Sequence, residues 1–221
     1  MKLWFACFAL FLLTVHGLEL QAQEPASDWR TVESEHFKVN FRSGHRAQAY
    51  KAMSIAEQVH AYVVKELNWV PREKTELVLI ASVDFANGYA TPLPFNQSGI
   101  YLTAPNSGEL LDRADWLETV ILHEYVHIVH LDKVRGFPKD LRDAFGRILF
   151  AFPNLFQPNW IAEGLATYYE SHSDAVIGRL HNSAFEAQMR DELQRGFRSL
   201  REINAGGRGA PVNRAYCVAP A

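Results

Sequence analysis

Apolar and polar residues alternate toward Phe41, with Val32, Phe37, Val39 and Phe41 on the apolar beat. Period two is a strand pattern, and it predicts a β-strand over residues 36–41 with Trp29 packing near its start. Ser43 and Gly44 break it. From 47 to 67 the period becomes helical: Ala49, Met53, Ala56, Val59, Tyr62, Val63 and Leu67 fall on one face, and Asn68 and Pro71 end the segment. Residues 75–83 (TELVLIASV) are almost continuously apolar, which predicts a central strand covered on both faces. Gly88, Pro92, Pro94 and two asparagines make 84–98 a loop, and 99–103 (GIYLT) reads as a second short strand closed by the turn residues of 105–108.

The second half reads as helices. Residues 116–131 carry Leu117, Val120, Ile121, Val126 and Val129 around most of the circumference, so this helix is expected to be buried. Asp115 is its expected N-cap, with Glu118 at capping-box spacing. A further helix is expected over 140–152, broken by Pro153 and Pro158. The run 148–152, with Leu155 and Phe156 beyond it, reads as a core element, the alternative being a membrane-touching or lid segment. Residues 159–171 (NWIAEGLATYYES), capped by Asn159, and 183–195, stopped by Gly196, complete the set. This order predicts an α+β fold, a small mixed sheet with helices on one face.

A chain of 221 residues that is 48% hydrophobic can bury a full core, and one domain is expected. A net charge of −3 with mixed signs gives no reason to expect a nucleic-acid partner. The N-terminus changes the picture. Lys2 precedes an apolar run over 3–15 and a more polar stretch over 17–23, the layout of a secretory signal peptide. Cleavage is expected after Ala22, leaving a mature domain over 23–221 in a secreted or periplasmic protein. Cys217 is then the one cysteine left, so stability has to come from packing. No run of about 18 apolar residues occurs, so no spanning helix is expected in the mature chain.

The chemistry concentrates in His123-Glu124-Tyr125-Val126-His127. Two histidines four residues apart share one helix face and can hold a metal ion from one side, with Glu124 placed to reach a water beside it. Such an ion lowers the pKa of its water to about 7. A third protein ligand is needed. His130 sits about 10 Å along the helix from His123, too far to close the set. His172 and His181 lie near helix ends without a supporting pattern. Glu163, charged among the apolar residues of Trp160-Ile161-Ala162-Glu163-Gly164, is the best choice and gives a His2Glu shell suited to Zn2+.

HEYVH followed on a later helix by WIAEGLATYYE resembles the gluzincin metallopeptidases, the thermolysin-like or peptidase MA group. It is especially similar to the secreted bacterial peptidase MA-like domains that often precede a β-propeller. The resemblance runs from about Ser34 to the end of the chain. It implies His123, His127 and Glu163 as zinc ligands and Glu124 as general base. It also implies that residues 99–103, from Gly99 to Thr103, form the edge strand along which an extended peptide or protein substrate lies.

Two departures from the family pattern matter. Thermolysin-like enzymes carry an acid four residues after the glutamate ligand to orient a histidine; this chain has Thr167, leaving Glu170 or Asp132 for that task. The oxyanion stabiliser of the group falls on Tyr216, with Tyr168, Tyr169 and His172 as further candidates. The family normally continues into another helix, so the resemblance implies a C-terminally truncated domain, with a propeller downstream. The alternatives to a zinc metallopeptidase are a catalytically inactive metal-binding domain that binds peptides, and a metal-dependent hydrolase of a non-peptide bond.

Overall fold

A computed structural model describes residues 28–104, 116–171, 180 and 183–196. The expected signal peptide, the Asp115 cap, the 105–108 turn, His172, His181, Tyr216 and Cys217 lie outside them. Five strands form one mixed sheet: β1 (Trp29–Glu33), β2 (Phe37–Arg42), β3 (Thr75–Ile80), β4 (Gly88–Thr91) and β5 (Gln97–Tyr101), in the order β1-β2-β3-β5-β4. The outer pairs β1–β2 and β4–β5 are antiparallel, and β2, β3 and β5 run parallel. The α-helices are α1 (Arg46–Leu67), α2 (Trp116–Asp132), α3 (Phe137–Phe145), α4 (Asn159–Ser171) and α5 (Ser183–Arg195). The fold is α+β.

Register sorts the sheet into two faces. Phe37 and Val39 lie opposite Thr75 and Leu77, Leu77 and Leu79 opposite Ser98 and Ile100, and all are buried. This face carries the helices. The other face is polar, with Thr31 bonded to Asn40, Asn40 donating to Glu76, and Lys38 beside Glu76. The central strand β3 is therefore covered on one face, not two: its burial alternates residue by residue, as an antiparallel-like surface sheet would.

α1 turns a stripe of Ala49, Ala52, Ala56, Val59 and Val63 inward, spaced three and four apart, and its small residues let it lie close against α2. Asn68 in the left-handed conformation caps it, its N–H reaching back to the Lys65 carbonyl. α2 is apolar nearly all round and sits at the centre of the core cluster. A buried polar contact ties the two helices: the Tyr125 hydroxyl bonds His60 Nδ1 at 2.6 Å. Burial holds His60 below its ordinary pKa, which keeps the imidazole neutral and Nδ1 free to accept.

Three more expectations are corrected. Residues 99–103 are not an edge strand: β5 lies between β3 and β4, and the edge is β4, inside the stretch expected to be a loop. The helix expected over 140–152 is α3, which ends at Phe145; Gly146 follows at φ 75, and two short 3-10 turns, Leu149–Ala151 and Pro153–Phe156, take over. The apolar run 148–152 is not uniformly core, since Ala151 and Phe152 are buried while Ile148, Leu149 and Phe150 are exposed.

Candidate metal centre

α2 and α4 place the site. His123 and His127 stand one turn apart on the buried face of α2, and α4 packs across them. Glu163, in the second turn of α4, brings Oε2 to 3.4 Å from His123 Nε2 and 3.5 Å from His127 Nε2. The two Nε2 atoms are 3.2 Å apart. Ligands about 2.0–2.1 Å from a zinc-sized ion at the tetrahedral angle would stand about 3.3 Å from one another, so the triangle fits such an ion. His123, His127 and Glu163 can hold a metal ion.

The donor set has the electrostatics of a ligand shell. Glu163 Oε2 is buried without a hydrogen-bond partner, a costly arrangement unless a cation compensates it. Burial works to raise the Glu163 pKa, but the contacts with His123 and His127 outweigh it and hold the carboxylate well below the ordinary range. Glu163 is therefore ionised near neutral pH.

His123 is oriented from behind. Its Nδ1 lies 2.8 Å from Glu170 Oε2, and Glu170 is fully buried. That contact holds the ring with its Nε2 turned toward Glu163 and His127. Glu170 thus takes the orienting task, seven residues after Glu163 instead of four. Thr167, at the family's position, is buried with an unbonded hydroxyl. Asp132 is committed elsewhere: it accepts from Trp69 Nε1 at 2.8 Å and pairs with Arg142 and Arg147 at the end of α2. His130 is likewise excluded from the triangle, bonding Gln157 at 3.0 Å.

Glu124 is buried beside the ligands, against the edge strand. A Cβ built on Gly88 of β4 would fall 2.6 Å from Glu124 Oε1, 2.8 Å from Cγ and 2.9 Å from Cδ. Only a glycine lets the strand run this close to the carboxylate. On the opposite sheet face the Tyr89 ring covers Gly99, its register partner. In the sequence Gly88 reads only as a turn residue in a stretch rich in prolines and asparagines, and nothing there points to Glu124. Of the oxyanion candidates, Tyr169 packs on the core beside Tyr62, and Tyr168 is 40% exposed next to it. Five residues beyond Glu163, Tyr168 lies well round the helix from it.

Comparison of the sequence with models of protein families and with curated proteins finds no match.

Proposed function

We propose that this chain is a zinc-dependent metallopeptidase of the gluzincin type, exported by virtue of its N-terminal segment. One observation carries the reading: a buried, unbonded carboxylate oxygen of Glu163 stands 3.4 and 3.5 Å from two imidazole nitrogens of an H-E-x-x-H helix. Imidazole and carboxylate donors in a three-ligand set favour zinc and leave a coordination position for chemistry.

A bound zinc ion would polarise a scissile carbonyl and lower the pKa of an attacking water to about 7. The remaining work falls to the chain's own residues. Glu124 accepts the water's proton and delivers it to the departing amine, so one carboxylate serves as base and then acid. Glu170 holds His123 with Nε2 facing the site. The edge of β4, which no described strand pairs, is the place for substrate: an extended peptide can add to the sheet there through backbone hydrogen bonds, passing next to Glu124. The substrate strand thus shifts from residues 99–103 to Gly88–Thr91.

The test is zymography on unfolded casein with the purified chain and Glu124→Gln. Chelator-sensitive clearing is expected from the wild-type chain. The variant should keep its metal and lose activity by about 10²–10⁴-fold, the range for removing a general base. Undiminished clearing by the variant would remove Glu124 from the mechanism. A metal-loaded wild-type chain that clears nothing would turn the reading to a peptide-binding module.

A further inference from the structure

α3 is packed inside out. Phe137, Leu141, Ala144 and Phe145 recur at helical spacing and form one apolar stripe, the side a surface helix ordinarily turns to the core. Here the phenylalanines face solvent, Phe137 at 72% and Phe145 at 68% exposure, while Arg142 points inward and is buried. The apolar surface continues past the helix through Ile148, Leu149 and Phe150 to Phe156; Phe150 and Phe156 stack with rings 7° from parallel and are 71% and 60% exposed.

This segment is held firmly. Arg142 donates to the Asp132 carbonyl at 2.7 Å and the Ala151 carbonyl at 2.9 Å, and lies 3.9 Å over the Phe152 ring. Arg147 reaches Asn96 Oδ1 at 2.6 Å and also bonds the Pro92 carbonyl. The base is thus bolted to α2 and to the β4–β5 turn, and the apolar residues project from it.

We infer that the surface from Phe137 to Phe156 docks on an anionic lipid bilayer. Two observations select that occupant. First, the apolar residues protrude; a protein partner would need a matching cavity for each, whereas the bilayer interface accepts projecting side chains of any outline. Second, residues 132–156, which carry the patch, hold Lys133, Arg135, Lys139, Arg142 and Arg147 against Asp132, Asp140 and Asp143, a surplus of positive charge on a chain whose net charge is −3. Basic residues bordering an apolar face are the pattern of interfacial attachment to anionic lipid. No described helix is long and apolar enough to cross a membrane, so the attachment is to the surface.

Vesicle sedimentation of the full chain tests this, using vesicles of phosphatidylcholine alone and of phosphatidylcholine with about a third phosphatidylglycerol. Phe150→Asp with Phe156→Asp is the variant; both side chains are largely exposed, so folding, checked by circular dichroism, should be unaffected. The wild-type chain should sediment with the anionic vesicles and far less with the neutral ones. The double variant should bind at least about tenfold more weakly. Arg135→Glu with Lys139→Glu should weaken binding to anionic vesicles only. Equal binding by wild type and the phenylalanine variant would overturn the proposal. Failure of the wild-type chain to sediment would overturn it as well, as would a dimer in light scattering that the variant abolishes without any vesicle binding.

Discussion

Glu163 and Glu170 fall on one stripe of α4, two turns apart, and both carboxylates meet His123. They do so at opposite ends of its ring: Glu163 stands by Nε2, Glu170 by Nδ1. The first stands where it can share a metal ion with the two histidines; the second holds the ring from behind and sets the direction in which Nε2 faces. Glu170→Gln should therefore leave the fold and the ligand set in place while weakening metal binding about 10- to 100-fold, the usual effect of losing a ligand's hydrogen-bonding carboxylate. Competition with a chromophoric chelator measures this, and an unchanged affinity would deny Glu170 its orienting role. From the sequence, Glu170 and Asp132 were equal candidates. What separates them is tertiary: Trp69, 63 residues away in the chain, and Arg142 and Arg147 from beyond the end of α2 converge on the Asp132 carboxylate.

At the scale of elements, β4 is the piece that period and composition hid. It has four residues, one a glycine, within a stretch of prolines and asparagines, so no alternation could develop. Its importance follows from the Gly88–Glu124 approach. Gly88→Ala should push the Glu124 carboxylate aside, lowering peptidase activity by about 10²-fold, as a displacement of about 1 Å in a reacting group does, with metal content unchanged. Full activity in Gly88→Ala would show that the close approach has no part in the chemistry. β1 was missed for a related reason. It is an outer strand whose residues are exposed apart from the half-buried Val32, so it has no buried face to impose a pattern. The long or strongly periodic segments were legible: α4 and α5 match their expected bounds, and α1 and α2 match within a residue at each end. The helix expected over 140–152 stops early because Gly146, at φ 75, turns the chain, and the apolar run beyond it lies in short turns that leave Ile148, Leu149 and Phe150 exposed.

Taken as a whole, the molecule is a one-sided sheet with α1 and α2 laid over its apolar face and α4 closing over α2. That arrangement makes a deep polar site possible in an apolar helix. His123, Glu124, His127 and Glu170 are buried by the same packing that stabilises the core, and Glu163 closes the site with its Oε2 buried. The α+β class was legible because strands and helices each follow their own period, and the ligand triangle because H-E-x-x-H forces two of its corners onto one face. The identity of the sheet edge was not, since strand order depends on pairing across the chain. The third corner, Glu163, is where the central claim is most exposed. Metal content of the purified full chain, measured by mass spectrometry beside Glu163→Ala, tests it directly. About one zinc per chain, lost in a variant that still folds, is the predicted result. A folded wild-type chain without metal, or a variant that keeps its zinc, would contradict it.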